Sequence, residues 1–97
     1  GTRDPDSDDA GLREAPLRVL LAEDNPTNRR VIELLLQAAD VSLTCAENGL
    51  EALDAWRASP FDLVLMDLHM PVMDGLSAIR EMRRREASCG LERTPVL

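Results

Sequence analysis

Short apolar runs alternate along this chain with segments in which apolar residues recur at helical spacing. The runs at 17–22, 41–46 and 61–67 predict three strands. Runs of this length are typical of strands that are buried on both faces of a parallel sheet. Residues 95–97, which follow a polar stretch, are interpreted as the start of a fourth strand.

Helices are predicted between the strands. Asn25 is expected to cap a first helix that begins at Pro26, because Asn favours the capping position and Pro the first helical position. One face of this helix carries Val31, Leu34, Leu35 and Ala38. A second helix is predicted at 50–58, ended by Pro60, and a third is marked by Leu76, Ile79 and Met82. A loop is predicted at 88–94.

This alternation of strands and helices predicts an α/β fold. Its expected core is a parallel sheet with right-handed crossovers and helices on both faces. Residues 1–16 contain five acidic residues and two prolines but few apolar residues, so they are interpreted as a flexible acidic linker or tail. Residues 17–97 form the predicted domain.

Composition excludes several classes of protein. With 97 residues and a net charge of −7, the chain is one domain at most, and non-specific binding to nucleic acid or to an anionic membrane is not expected. No apolar run approaches the ~20 residues of a membrane span. Two cysteines are too few for a disulfide scaffold, so a reduced, cytoplasmic setting is expected. Cys45 is expected to be buried and inert, and Cys89 to lie exposed in a loop.

Three acidic residues follow two of the predicted strands. Glu23 and Asp24 come after the first strand, and Asp67 comes after the third. The carboxyl ends of neighbouring parallel strands meet at one edge of a sheet, which predicts that these carboxylates converge. Their mutual repulsion would be relieved by a hard divalent cation such as Mg²⁺, and a carboxylate held there can attack phosphorus. The alternative is that they are solvated loop residues or helix caps.

Three stretches carry a resemblance to a known family. Residues 19–25 (VLLAEDN), 47–53 (ENGLEAL) and above all 62–75 (DLVLMDLHMPVMDG) resemble response-regulator receiver domains, the flavodoxin-like modules of two-component phosphorelays. The resemblance implies that the chain accepts a phosphoryl group, with Mg²⁺, from a histidine kinase or phosphotransfer domain. The acidic stretch after the first strand and the linker before it resemble the receivers of hybrid sensor histidine kinases.

The resemblance also assigns roles to residues. Asp67 is implied to be the phosphoryl acceptor, and Glu23 and Asp24 to form an acidic pocket. The implied metal ligands are Asp24, Asp67 and the backbone carbonyl of His69. The loop after the acceptor is implied to be shaped by Met70, Pro71, Asp74 and Gly75.

The chain also departs from the family pattern. Receivers carry a Ser or Thr at the end of strand four, and an aromatic residue and a Lys on strand five. This sequence contains no lysine, and by the resemblance it ends inside strand four, so the fold is expected to be incomplete. An open apolar edge along residues 63–66 and an uncovered face of the sheet are expected. Association as a homodimer or by strand swapping is then possible.

Two alternative functions remain open. The chain is interpreted as a signalling module rather than an enzyme with an external substrate, but it would also serve as an interaction or dimerisation module without phosphorylation. A Mg²⁺-dependent aspartyl phosphatase would need a second Asp two residues after the first, and position 69 is His.

The remaining candidate residues are given structural roles. The arginines at 83–85 lie between Glu81 and Glu86 in the sequence. This arrangement favours a solvated helix face with an ion pair between Glu81 and Arg85. Trp56 and Met82 are expected in the core or in a groove.

Overall fold

The computed structural model describes residues 15–97, so the predicted linker lies outside the described residues except for its last two. The elements are β1 (Leu17–Ala22), α1 (Pro26–Leu36), β2 (Val41–Ala46), α2 (Gly49–Ala58), β3 (Leu63–Met66) and α3 (Gly75–Cys89). The order confirms the predicted α/β alternation. Three bounds differ: α1 ends at Leu36, before the predicted face residue Ala38; β3 is shorter than predicted; and α3 continues through Cys89 into the predicted loop.

The strands form one parallel sheet in the order β2-β1-β3. In register, Leu20 of β1 lies between Thr44 of β2 and Val64 of β3. This arrangement puts the carboxyl ends of all three strands at one edge of the sheet and their amino ends at the opposite edge. We call these the carboxyl edge and the amino edge.

The prediction of an open edge on β3 is wrong, because residues 95–97 pair with this strand. Val96 forms a parallel bridge with Val64. The Val64 amide donates to the Pro95 carbonyl at 2.9 Å, and the Leu97 amide donates to the Val64 carbonyl at 2.9 Å. Unpaired backbone groups along a buried strand are costly, and this pairing satisfies them. It also confirms that strand-like structure begins at 95.

The core lies between one face of the sheet and helices α2 and α3. Its buried side chains come from every strand and from both of these helices, namely Leu20, Ala22, Ala46, Ala52, Leu53, Val64, Met66, Ala78 and Met82. Met82 is fully buried and Trp56 packs against this cluster, as expected. The many alanines let the two helices lie close to the strands.

Helix α1 lies on the other face and buries none of its residues. Its apolar positions Val31, Leu34 and Leu35 are 50%, 49% and 73% exposed. The predicted helix is therefore present. The expected bare face of the sheet is not found at β1, where Val19 and Leu21 are each 2% exposed; the exposed apolar surface lies on α1 itself. Within the described part of the chain, no helix has the length and apolar character that a membrane crossing requires.

Cys45 is exposed, which contradicts its predicted burial. It lies on β2, an edge strand beside the sparsely packed α1. Its thiol lies 3.5 Å from a Glu33 carboxylate oxygen, to which it donates. Partial desolvation and this carboxylate raise the pKa of Cys45 above its ordinary value, so the thiol holds its proton more tightly.

Candidate functional site

Backbone hydrogen bonds bring three acidic residues together at the carboxyl edge. The Glu23 amide donates to the Ala46 carbonyl at 3.0 Å, and the Asp67 amide donates to the Ala22 carbonyl at 3.0 Å. These bonds continue the strand ladders one residue beyond β1 and β3. One oxygen from each of Glu23, Asp24 and Asp67 lies within 4.8 Å of the other two. The predicted convergence of the carboxylates is confirmed.

The three carboxylates differ in their partners. The Asn25 amide donates to Glu23 Oε2 at 3.2 Å, and the His69 amide donates to Asp67 Oδ1 at 3.1 Å. Asp24 is exposed and, among residues 15–97, its carboxylate forms no hydrogen bond or ion pair. Two of the acids are thus oriented by local backbone donors, and the third is free to bind a ligand.

The start of α1 fixes the segment that carries Glu23 and Asp24. The Asn25 side chain accepts hydrogen bonds from the amides of Thr27 and Asn28 at 2.8 and 3.1 Å, and Pro26 occupies the first turn. This is the predicted cap. One turn later, Arg29 donates from Nη1 to the Glu23 carbonyl at 2.8 Å, which ties the helix to the end of β1.

Gly75 sets the position of the loop that follows Asp67. Its amide donates to the Leu68 carbonyl at 3.1 Å, and a Cβ at this position would lie only 2.0 Å from the Asp67 carbonyl oxygen. Asp74 caps α3 by accepting from the Ser77 amide at 2.7 Å. That hydrogen bond lowers the pKa of Asp74. Asp74 and Gly75 therefore anchor α3 directly against the segment around Asp67.

The same loop also contacts α2. The Gly49 amide donates to the Met73 carbonyl at 2.7 Å, and a Cβ on Gly49 would lie 2.3 Å from that oxygen. Met70 and Met73 pack against the core, while Val72 takes a left-handed φ of 69°. The loop is thus held at both ends and in its middle, with the exposed His69 at its start.

The donor set at the carboxyl edge fits a hard divalent cation. It offers three carboxylate oxygens within 4.8 Å of one another, and such cations prefer oxygen ligands. None of these oxygens belongs to a carboxylate that pairs with an arginine within residues 15–97. The negative charge of these carboxylates is therefore available to a bound cation.

A second polar cluster was not predicted. Glu86, expected on a solvated face, is only 4% exposed. Its carboxylate accepts from Arg83 Nη1 at 2.9 Å and from the Thr94 amide at 2.7 Å. Arg83 also donates to the Thr94 carbonyl, and Trp56 Nε1 donates to Thr94 Oγ1 at 3.1 Å. We call these four residues the Thr94 cluster.

The predicted ion pair between Glu81 and Arg85 is present on α3. Arg85 Nε donates to Glu81 Oε2 at 2.9 Å, and Arg84 pairs with the same carboxylate. These hydrogen bonds lower the pKa of Glu81 to about 2, and the bond from Arg84 makes the largest contribution. Helical spacing alone predicts such pairs, whereas the partners of Glu86 lie partly in the following loop, which the sequence pattern does not reveal.

Fold and site together define a class of protein, a parallel α/β domain with an acidic cluster at the carboxyl edge of its sheet. The protein-family model described as the response regulator receiver domain matches residues 19–97. The chain therefore belongs to the receiver-domain family of two-component response regulators, as its motifs predicted.

Curated relatives show the same likeness. The chain is 45% identical over 76 residues to Response regulator sskA of Aspergillus fumigatus, covering 78% of this chain and 9% of that protein. It is 38% identical over 85 residues to Sensory/regulatory protein RpfC of Xanthomonas campestris, covering 88% of this chain and 12% of that protein. The chain thus spans a small fraction of the length of these relatives.

Solved structures resemble the chain closely. The receiver domain of the Saccharomyces cerevisiae response regulator Ssk1, crystallised with the histidine phosphotransfer protein Ypd1, has a TM-score of 0.76 and 31% identity, covering 86% of this chain and 61% of that one. The receiver domain of a Pseudomonas aeruginosa sensor histidine kinase, with a magnesium ion in its active-site cleft, has a TM-score of 0.73 and 35% identity, covering 84% and 65%.

Proposed function

We propose that this chain accepts a phosphoryl group on Asp67 from a phosphohistidine of a histidine kinase or phosphotransfer protein in a cytoplasmic phosphorelay. The observation that carries this proposal is the convergence of three carboxylates within 4.8 Å at the carboxyl edge of the sheet. The yeast neighbour's complex with a histidine phosphotransfer protein supports the class of donor.

Asp67 is the proposed nucleophile because the family resemblance of residues 62–75 implies this role, and its surroundings hold it in place. Its backbone is held by Ala22, its carboxylate accepts from the His69 amide, and Gly75 packs against its carbonyl. In the proposed step a carboxylate oxygen of Asp67 forms a bond to phosphorus. The phosphorus–nitrogen bond of the donor, whose other ring nitrogen carries a proton, breaks, and imidazole leaves neutral with the electron pair of that bond.

Asp24, Asp67 and the backbone carbonyl of His69 are the proposed ligands of a magnesium ion. Bound there, the ion would neutralise charge that develops on the phosphoryl oxygens. Asp24 contributes a carboxylate without a partner among residues 15–97, and Glu23 adds negative charge beside it. The magnesium ion in the Pseudomonas receiver supports this choice of metal.

The test is phosphotransfer from the phosphorylated yeast phosphotransfer protein, carrying a radioactive label, to this chain in the presence of Mg²⁺. We expect a label that hydroxylamine removes, as an acyl phosphate requires, and that fails to form when EDTA is present from the start. Asp67→Asn should abolish labelling and Asp24→Asn should reduce it. Asp54→Asn, which changes an aspartate that is 63% exposed on α2, is the matched control and should label normally.

The rate is expected to be low. Phosphoryl transfer depends on fixed positive charge around the phosphoryl oxygens, and loss of one such contact typically costs about 10²–10³-fold in rate. This chain contains no lysine, so we expect slow labelling relative to a receiver domain that has one. Label that persists in Asp67→Asn would refute the proposed acceptor. Complete absence of label would favour a non-phosphorylated interaction module.

A further inference from the structure

A cavity of about 620 Å³ opens at the amino edge of the sheet, at the opposite end of the strands from the acidic cluster. It lies between the carboxyl-terminal turns of α2 and α3 and the segment at 91–95. A volume of this size is in the range of small-molecule sites. The cavity is separate from the proposed phosphoryl-transfer site and does not depend on it.

Two aromatic side chains line this cavity among polar and aliphatic residues. The whole chain contains one tryptophan, one phenylalanine and no tyrosine, and both Trp56 and Phe61 line the cavity. Neither ring is fully buried, so each keeps part of its surface for a ligand. Leu91 and Pro95 add further apolar surface. The one tryptophan and the one phenylalanine of the chain therefore line the same cavity.

The cavity is lined by three arginines and two acidic residues, a formal charge of +1, although the chain as a whole carries a charge of −7. Arg57, Arg85 and Arg93 line it, against the acids Asp62 and Glu92. One oxygen of Asp62 is occupied by the Arg18 amide, which donates to it at 2.8 Å.

The three arginines differ in their availability. Arg85 donates to Glu81, and Arg57 lies 3.8 Å from Asp54. Arg93 is exposed and, within residues 15–97, makes no hydrogen bond or ion pair. Its guanidinium is therefore free to bind a carboxylate with two parallel hydrogen bonds.

We propose that this cavity binds a small aromatic anion, with the ring between Trp56 and Phe61 and the carboxylate on Arg93. Such a ligand would also touch the segment that leads into the pairing of Val96 with β3. Occupancy should therefore stabilise the folded chain, because a ligand that binds only the native state shifts the unfolding equilibrium.

The test is a titration of the ¹⁵N-labelled chain with 2-naphthoate, followed by NMR. Since Trp56 is the one tryptophan of the chain, its indole N–H gives a single signal from inside the cavity. We expect a saturable shift of this signal and of the amides at 91–94, with a Kd on the order of 1 mM for so small a ligand. The melting temperature should rise with ligand concentration.

Two comparisons isolate the anionic contact. Arg93→Gln should raise the Kd about tenfold, the effect of one charge-assisted contact, whereas Arg30→Gln, at an arginine 66% exposed on α1, should leave it unchanged. The neutral 2-naphthamide should bind the unaltered chain about tenfold more weakly than 2-naphthoate. If Arg93→Gln does not fold, this ligand comparison decides alone.

The proposal is overturned by any of three results. These are the absence of a saturable shift at the Trp56 indole, equal affinity for the amide and the carboxylate, and shifts centred on the exposed apolar face of α1 instead of the cavity.

Discussion

At the scale of single residues, Gly75 shows how closely the segment around Asp67 packs against α3. An added methyl group would lie 2.0 Å from the Asp67 carbonyl oxygen, so the backbone of one segment must move. We expect Gly75→Ala to lower the free energy of unfolding, measured by urea denaturation, by roughly 3 kcal/mol, the upper end for overpacking.

Gly90→Ala is the matched comparison. Gly90 has a φ of 68°, but its Cβ would meet no atom within 4 Å, so this substitution should cost only about 1 kcal/mol, the penalty of a left-handed conformation. If both substitutions cost the same, close packing at Gly75 does not constrain the site.

Local chemistry explains which residues were predicted correctly. Asn25 and Pro26 could be placed because a cap needs only the amides that follow it. Asp74 and Gly75 were assigned through a family resemblance, while the reason for the glycine, its contact with Asp67, is tertiary. Glu86 was misplaced for the same reason, since a run of arginines between two glutamates does not reveal which carboxylate faces the next loop.

At the scale of elements, the Thr94 cluster joins α3 to the segment that pairs with β3. Burial opposes ionisation of Glu86, but hydrogen bonds from Thr94 and Arg83 outweigh it and lower the pKa of this residue below 4.5. Glu86→Gln should therefore reduce the free energy of unfolding at neutral pH, by roughly 1.5–3 kcal/mol for charge-assisted hydrogen bonds. Urea denaturation at several pH values measures the difference.

The sign of the pH dependence follows from the lowered pKa. Glu86 contributes its full stabilisation above its unfolded-state pKa, near 4.5, and loses it as the pH falls through the lower folded-state value. The difference between the unaltered chain and Glu86→Gln should thus shrink below about pH 5. Glu92→Gln, at a neighbouring exposed carboxylate, is the control. A difference that is constant down to pH 2 would refute the role given to the Glu86 charge.

The bounds of a strand could be predicted where residues that disfavour a strand stand at both of its ends. β1 and β2 run over the predicted residues because polar or turn residues border each apolar run. β3 is shorter than predicted, although the amides of Asp62 and Asp67, on either side of it, still donate to the Arg18 and Ala22 carbonyls of β1. The loop predicted at 88–94 begins late because α3 ends only at the left-handed Gly90.

At the scale of the whole molecule, the two faces of the sheet are unequally covered. Helices α2 and α3 bury the core on one face, whereas α1 leaves Val31, Leu34 and Leu35 about half exposed or more on the other. An uneven covering of the sheet was expected from the resemblance to receiver domains, which implied both the strand order and the number of helices. The aromatic cavity was not predictable, because Trp56 and Phe61 meet only through tertiary packing.

The exposed face of α1 should make the 97-residue chain associate. Contiguous apolar patches are rarely left open on soluble monomers, and burying each of these side chains contributes about 1.5–3 kcal/mol. We expect light scattering to report an apparent mass that rises with concentration, and the urea midpoint to rise with it. Leu35→Glu, at the position that is 73% exposed, should reduce association, whereas Leu50→Glu, 43% exposed on α2, should not. A monomeric mass with a concentration-independent midpoint would show that α1 is stable uncovered.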